Sequence, residues 1–527
     1  MAAGRGDARA ARDLIRLAPS EQAAVEQAPA GARGLVVAAL MLATGLAAVD
    51  ATIVATAVPQ IVGDLGGFSQ FPWLFSIYLV AQAVLVPIYG RLADVFGRKP
   101  LLLLGIGIFL VGSVLCGVAW SMVSLIVFRG VQGIGAGAIL PLTNTIIGDL
   151  YPPAERGKIQ GYVASVWGVT AVVGPALGGL FAQYWTWRGI FFINIPLGLG
   201  ALALLHLHLH ERVEERRHRI DLAGAFVLTV GLTMLILALL EGGVGWSWSS
   251  AASVGLFAGA AALLVAFVLV ERRAAEPILP PWIFARRVLV TANVAGLAIG
   301  AILIGQSSYV PAYGQGVLGY GAVLAGFAMA SMTIGWPLAA TAAPRVYLRL
   351  DYRPTAILGG LFTIAGCLLL VLFVHEQTGL WRVAVSSFVL GIGMGFASVS
   401  TVVAVQSVVG WNRRGVVTGS NMFIRTLGSA VGIAVFGSIA NTTLADRFRH
   451  PPAALAGKLP HAVDAASISF TRRHDSPAVV AYTRHALYGA VHHVFWALVG
   501  AAVLGLVAEL LMPRRAEELR FDDQRGM

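Results

Sequence analysis

Two charged residues of the sequence lie inside long apolar segments, where a charge needs a specific reason. Asp50 falls in Leu46-Ala-Ala-Val-Asp-Ala-Thr-Ile-Val-Ala-Thr-Ala-Val-Pro59, and Arg129 begins Arg129-Gly-Val-Gln-Gly-Ile-Gly-Ala-Gly137. A charge at the centre of a membrane span costs ~2.5–3.5 kcal/mol on an insertion scale, so it faces a partner or water and often relays protons. Asp50 is therefore a candidate proton carrier, and Arg129 must have a partner. The alternative for both residues is a purely structural ion pair.

A second candidate site is the short polar loop Gly90-Arg-Leu-Ala-Asp-Val-Phe-Gly-Arg-Lys-Pro100. Its glycines, Gly90 and Gly97, permit a tight turn. Asp94 and Arg98 are four residues apart, so they can pair with each other or reach neighbouring helices.

The composition indicates that these residues are positioned by membrane-spanning helices. Of the 527 residues, 57% are hydrophobic and 12% are charged, about half the roughly 25% charged residues of a soluble domain. The net charge of +11 falls in short clusters between apolar runs, which argues against nucleic-acid binding. No phosphate-binding Gly-Lys-Ser/Thr loop occurs, so we expect an ion gradient to supply energy and no cofactor or metal to be needed.

A helix needs about 20 apolar residues to cross the bilayer, and fourteen stretches qualify. They lie near 34–58, 74–93, 100–119, 125–148, 158–182, 189–206, 222–241, 251–270, 288–310, 321–343, 355–374, 383–405, 416–441 and 488–512. Arginine and lysine concentrate in the connections on the side of the two termini, and the positive-inside rule makes that side cytoplasmic. We therefore expect a multi-pass protein of the cytoplasmic (inner) membrane with both termini in the cytoplasm.

An internal repeat divides these spans. GIGAGAILPLT at 133–143 recurs as GIGMGFASVST at 391–401, and RGKIQG at 156–161 recurs as RGVVTG at 414–419. Two copies of a six-helix unit with a site between them suit a transporter that works by alternating access. The predicted parts are an N-terminal tail (1–33), a first six-helix bundle (34–206), a linker with two extra helices (207–287), a second bundle (288–512) with a long external loop (442–487), and a C-terminal tail (513–527).

The loop from Gly90 to Pro100 closely resembles the signature loop of the major facilitator superfamily, and the resemblance extends over essentially the whole transmembrane region. It implies an all-α integral membrane protein with the major facilitator fold. In that family the loop forms a cytoplasmic latch between the halves. Here we expect Asp94 to cap the start of span 13 and Arg98 to meet Asp149 at the end of span 4.

The sequence also resembles the fourteen-helix drug:proton antiporter branch (EmrB/QacA-like) of that superfamily. Asp50 is similar to the acid in the first helix of that branch, and Arg129 to its fourth-helix arginine, which implies a role for both in proton coupling. Span 5 contains Gly168-Val-Thr-Ala-Val-Val-Gly-Pro-Ala-Leu-Gly-Gly179, which resembles the family's antiporter motif and favours efflux. Its motif positions are Gly174, Pro175, Gly178 and Gly179.

Two features depart from the branch. Spans 9–13 carry no carboxylate, and span 13 contains Arg425. A preference for dicationic drugs is therefore not expected, and Arg425 could attract an anionic group if it lines the cavity, or else pair with a backbone carbonyl. The loop 442–487 is long for a structureless connection and could be helical, bind a periplasmic partner or be simply solvated.

The sequence as a whole predicts a proton-coupled antiporter, not an enzyme, that exports amphipathic organic compounds. Its expected partners are small molecules, protons and the lipid bilayer, with a periplasmic partner left open for the loop 442–487. A dedicated exporter of one lipid, antibiotic or metabolite, or a basic amino-acid or siderophore carrier, is the alternative. A membrane enzyme would need interfacial catalytic clusters, which the short loops lack. A sensor with a carrier fold would show no flux.

Overall fold

A computed structural model describes residues 30–66, 73–211, 221–242, 246–274, 277–320, 322–452, 455 and 477–514. Within these ranges the chain is helical, and fourteen of its helices have 15 residues or more. They are α1 (Ala30–Leu65), α2 (Trp73–Phe96), α3 (Arg98–Gly117), α4 (Met122–Leu150), α5 (Pro153–Tyr184), α6 (Asn194–His208), α7 (Leu222–Glu241), α8 (Ala251–Glu271), α9 (Arg287–Gly316), α10 (Ala322–Leu350), α11 (Tyr352–Phe373), α12 (Leu380–Ser407), α13 (Arg414–Arg449) and α14 (Pro477–Leu511).

Each predicted span coincides with one of these helices. In the described part of the chain, 12 helices are long and apolar enough to cross a membrane by length and composition. The other two predicted spans, 158–182 and 222–241, are also helical, as α5 and α7. The prediction of an all-helical membrane protein is therefore confirmed.

The helices are longer than the apolar stretches that predicted them. α13 continues to Arg449 and α14 begins at Pro477, so both ends of the predicted loop 442–487 are helical. This narrows the loop bounds. Packing stabilises the extensions, because Leu444 of α13 and Leu487 of α14 are buried in the same apolar cluster. Residues 456–476 lie outside the described residues, as do most of both tails, and the expectation of a periplasmic partner falls largely on them.

Buried apolar side chains form separate clusters in the two halves of the chain. One cluster joins α1 to α6, for example through Leu40, Phe109 and Leu205. Another joins α9 to α14, for example through Leu390 and Phe495. The inserted helices α7 and α8 pack on each other and, through a third cluster, on α2 and α13.

The halves meet at the end of the bundle that carries Arg98, Arg156, Arg353 and Arg414, called here the arginine-rich end. At this end α2 crosses α13 so closely that a Cβ atom added to Gly90 would lie 2.8 Å from the Gly415 carbonyl oxygen and 3.0 Å from the Gly419 Cα. α5 packs on α10 in the same way, from Gly157 against Pro344 to Gly168 against Thr333 near the middle of both helices. The absence of side chains at these glycines therefore sets the spacing between the halves.

We predict that Gly90→Ala destabilises this contact, because backbone atoms cannot move aside as a flexible side chain can. Overpacking of a tight contact typically costs ~1–3 kcal/mol. The melting temperature of the purified protein should fall relative to wild type. Gly107→Ala is the matched control, since a Cβ at Gly107 meets nothing within 4 Å. Equal melting temperatures for both variants would contradict the close approach of α2 and α13.

Candidate functional site

Asp50 and Arg129 form an ion pair inside the first bundle. The Arg129 Nη1 lies 2.5 Å from the Asp50 Oδ2, and both residues are buried. Asp50 lies on α1 and Arg129 on α4, 79 residues apart in the chain. The two charges that the sequence singled out are therefore each other's partner.

Two neutral amides donate to the other carboxylate oxygen, and a hydroxyl accepts from both of them. The Gln132 Nε2 donates to the Asp50 Oδ1 at 2.8 Å, and the Asn194 Nδ2 donates to the same oxygen at 3.3 Å. Both amide groups also donate to the Ser113 Oγ at 2.8 Å. All of these side chains are buried. The described residues around this polar network therefore separate it from bulk water.

Arg129 is held on three further sides. Its Nε donates to the Leu74 carbonyl oxygen at 3.2 Å, and its Nη1 also donates to the Gln132 Oε1 at 2.7 Å. The guanidinium carbon lies 4.2 Å from the centre of the Tyr78 ring, a distance at which the ring face attracts a cation. Arg129 therefore has three partners besides Asp50.

Close helix packing brings these groups together. A Cβ atom added to Gly112 on α3 would lie 2.6 Å from the Gln132 Cα, so the absence of a side chain lets α3 and α4 touch at this point. That contact places Ser113 beside Gln132. α4 itself begins at a capping box, in which Ser121 accepts from the Ser124 N–H and Ser124 reaches back to the Ser121 backbone.

Sequence reasoning missed Gln132, Ser113, Asn194 and Tyr78 as members of this network. Gln132 offered a signal, because a residue three positions after Arg129 shares its helical face. Asn194 offered a weaker one as a polar residue at the start of an apolar span. No sequence signal distinguished Ser113 or Tyr78, because the rotation of α3 and α2 about their axes decides whether these side chains face the network.

The predicted latch residues meet at the arginine-rich end. The Asp94 carboxylate accepts hydrogen bonds from the backbone N–H groups of Gly415, at 2.8 Å, and Val416, at 2.7 Å. These are the first turn of α13, so the carboxylate caps the helix at its positive end. Arg98 also donates to Asp94 at 3.0 Å. The backbone turns through Gly97 with φ of 92°, a conformation that favours glycine.

Arg98 extends this contact to α4. Its Nε lies 3.1 Å from the Asp149 Oδ2, as expected from the sequence, and its guanidinium stacks 3.7 Å from the centre of the Trp411 ring. Arg414, on the other half, pairs with the second oxygen of Asp149 at 3.3 Å. Glu211 adds an unexpected cap, because it accepts from the backbone N–H groups that start α3. Carboxylates of the first half are thus bound by Arg98 of the same half and by Arg414 and backbone N–H groups of the other half.

The predicted antiporter motif lies where α5 crosses α1. A side chain at Gly174 would overlap the Thr52 hydroxyl, and Thr52 donates to the Thr170 carbonyl oxygen at 3.2 Å. α5 remains helical through Gly178. The side-chain surroundings of Pro175 and Gly179 lie outside what the structure describes. The motif is therefore adjacent to the helix that carries Asp50.

Arg425 lies about one third of the way along α13 and is partly exposed. Its carbonyl oxygen faces Gly300 of α9. Among the described residues its guanidinium has no acidic neighbour that acts on it. It contrasts with Arg129, which has a full set of partners at a comparable depth.

The second bundle contains a neutral counterpart of the ion pair. The Gln306 Nε2 on α9 donates to the Ser387 Oγ on α12 at 2.6 Å, and both residues are buried. The repeat that aligns 133–143 with 391–401 also aligns Ser387 with Arg129. α9 occupies in the second half the place of α1 in the first. One half thus holds an amide and a hydroxyl where the other holds a carboxylate and a guanidinium.

Comparison with known proteins identifies the family. A model of the Major Facilitator Superfamily matches residues 40–225 and 214–433. Multidrug resistance protein 3 of Bacillus subtilis (strain 168) is 36% identical over 412 residues, which are 78% of this chain and 80% of that protein. Multidrug transporter protein MdtP of the same strain is 36% identical over 411 residues, 78% and 75% of the two chains.

Two further comparisons cover more of the chain. An uncharacterized MFS-type transporter of Mycobacterium tuberculosis (strain ATCC 25618 / H37Rv), Rv1877, is 33% identical over 483 residues, 91% of this chain and 69% of that protein. The crystal structure of the human organic anion transporter MFSD10 superimposes with a TM-score of 0.61 over 90% of this chain and 99% of that one, at 14% identity. This likeness shows the fold.

We predict that Asp50 and Arg129 are energetically coupled. Removing one partner of a buried ion pair leaves an uncompensated group and costs ~3–5 kcal/mol. Asp50→Asn and Arg129→Gln should therefore each lower the melting temperature, while the double variant should lose less than the sum of the two. A thermal double-mutant cycle on the purified protein measures this coupling. Simple additivity would show that the two side chains act independently.

Proposed function

We propose, from the premise that this chain belongs to the Major Facilitator Superfamily, that it is a proton-coupled antiporter that exports amphipathic organic compounds. The observation that carries the proposal is the buried Asp50–Arg129 pair with its amide network. Within the residues described, Asp50 is the acid that sits deepest in a span beside a fixed cation. It can exchange a proton while Arg129 remains in place.

In the proposed cycle Asp50 takes a proton from the outer side. The neutral acid no longer needs the Arg129 charge, so the pairing energy is lost and the substrate is released. Deprotonation toward the cytoplasm restores the pair and resets the site. Alternating access then consists of rocking one six-helix bundle against the other.

The latch supplies the second state-dependent contact. We assign the arginine-rich end to the cytoplasmic side of the inner membrane, with both termini there, because short cytoplasmic connections retain arginine and lysine. Asp94 capping α13, together with Arg98 and Asp149, then holds the cytoplasmic side closed. Opening to the cytoplasm requires these contacts to break.

The names of the relatives support drugs as the class of cargo. Two Bacillus subtilis relatives are named for multidrug resistance or transport, and an efflux pump of Dothistroma septosporum is 32% identical over 421 residues.

The charges of the second bundle bear on the charge of the cargo. Spans 9–13 offer no carboxylate that could bind a dication, and span 13 contains Arg425. These features favour neutral, anionic, zwitterionic or monocationic compounds over dications. A dedicated exporter of one lipid, antibiotic or metabolite, or a basic amino-acid or siderophore carrier, is the second candidate, and sensitivity to several unrelated dyes separates it from a broad exporter.

We predict that Asp50→Asn uncouples transport from protons. Inverted vesicles containing the wild type should accumulate ethidium when energised and stop when a protonophore is added. The variant should lose proton-driven accumulation, because its residue 50 cannot ionise, yet keep ethidium exchange down a concentration gradient. Both activities follow from fluorescence quenching in the same vesicles.

Gln306→Met is the matched control for this experiment. It replaces a buried amide at the equivalent place in the second bundle, so protonophore-sensitive accumulation should persist even if its rate changes. Asp50→Asn vesicles that still accumulate ethidium against a gradient would refute the coupling role of Asp50. Wild-type vesicles without flux for several dyes would favour a single dedicated substrate.

We further predict that Arg425 sets a preference for anionic groups. Arg425→Ala should raise the KM for a carboxylated amphiphilic dye about tenfold, the effect of losing ~1.4 kcal/mol of binding. The KM for ethidium should stay the same or fall, because a positive charge near a cation is removed. Arg425→Lys is the control that keeps the charge. Equal changes for both dyes would assign Arg425 a structural role.

A further inference from the structure

An apolar groove opens on the surface of the second bundle at the arginine-rich end. Its volume is about 550 Å³, and it lies between the start of α11, the end of α10 and the chain just after α14. The residues that matter here are Leu350, Arg353, Ile357, Leu358, Leu361 and Arg514. The groove is far in sequence from Asp50 and Arg129 and shares no residue with the latch.

The groove has a polar end and an apolar end. Arg353 and Leu361 are eight residues apart on α11, a rise of roughly 12 Å along the helix. Leu361 is 52% exposed and Leu350 is 59% exposed. In a membrane protein such side chains face lipid, so the apolar end points into the hydrocarbon core while the arginines lie at its boundary.

The charge at the polar end is fixed in position. The Arg353 Nη2 donates to the Leu510 carbonyl oxygen at 2.7 Å, which ties the guanidinium across α11 and α14. Its Nε is buried and has no hydrogen-bond partner within the described residues. Arg514 is exposed at the rim. A guanidinium held in place through one N–H group, beside a second and exposed arginine, is suited to a phosphate group.

The nearby acid Asp351 offsets only one of these positive charges. The Asp351 Oδ1 accepts from the Tyr352 N–H at 2.7 Å and is thereby committed to the start of α11. The exposed Arg345 and Arg349 add positive charge on the preceding turns of α10. The polar end therefore carries a net positive charge at the level of the lipid headgroups, where anionic lipids are attracted.

We propose that this groove is a binding site for an anionic phospholipid. Its phosphate lies between Arg353 and Arg514, and one acyl chain follows Ile357, Leu358 and Leu361. A soluble anion would use the arginines alone, whereas the lipid also covers the exposed leucines. The bound lipid joins α10, α11 and the end of α14.

The test uses the full chain purified in a neutral detergent. Phosphatidylglycerol should raise the melting temperature by roughly 3 °C or more over the same amount of phosphatidylcholine, because a ligand that binds only the folded state stabilises it. In the double variant Arg353→Ala/Arg514→Ala this difference should disappear. Arg272→Ala/Arg273→Ala is the matched control: it removes two exposed arginines from the connection after α8, outside the groove, and should keep the full difference.

Three outcomes would overturn the proposal. The control pair could lose the difference as fully as the groove pair, which would indicate nonspecific attraction to the basic surface. Inorganic phosphate alone could give the full rise, which would indicate a soluble-anion site. Phosphatidylglycerol could have no advantage with the wild type. If the double variant does not fold, Arg514→Ala takes its place and should reduce the difference by at least half; an unchanged difference would overturn the proposal.

Discussion

A charge inside the membrane can persist only if another group compensates it, and the burial of Asp50 against Arg129 shows how much structure this requires. The carboxylate has one oxygen on the guanidinium and the other on two amides. Asp50 lies on α1, its partners come from α4 and α6, and α3 supplies the hydroxyl that accepts from both amides. Four helices of the first bundle are thus positioned by the needs of a single acid. Protonation of Asp50 changes the charge and the hydrogen bonds that groups on all four helices must satisfy.

Helix α4 links this network to the contact between the halves. It carries Arg129 near one end and Asp149 at the other, 20 residues apart in the sequence and therefore roughly 30 Å apart along a rigid helix. Asp149 pairs with Arg98 of its own half and with Arg414 of the other. α4 therefore connects the Asp50–Arg129 pair to the charged cluster between the halves.

The sequence predicted all fourteen helices and the main contacts of the latch, because apolar length and local turn motifs are encoded by neighbouring residues. Asp50 and Arg129 were recognisable for the same reason: a charge in an apolar run is conspicuous. Ser113 and Tyr78 were not, since a common residue becomes a partner only through the rotation of its helix. For the loop 442–487 the sequence left a helical, a partner-binding and a solvated form open. The structure makes both of its ends helical, because Leu444 and Leu487 pack in one apolar cluster, a contact between distant segments that local hydropathy does not reveal.

The two bundles share one architecture but differ in chemistry at its centre. In the second bundle Ser387, which the repeat aligns with Arg129, bonds Gln306 of α9 through a single neutral hydrogen bond of 2.6 Å. A neutral pair contributes packing and orientation, yet it cannot store or release a proton at physiological pH. Arg425 is a charge within a predicted span of the second bundle, and no acid among the described residues acts on it. The buried ionic network around Asp50 and the cation at Arg425 thus lie in different halves of the chain, so a substitution at one leaves the contacts of the other in place.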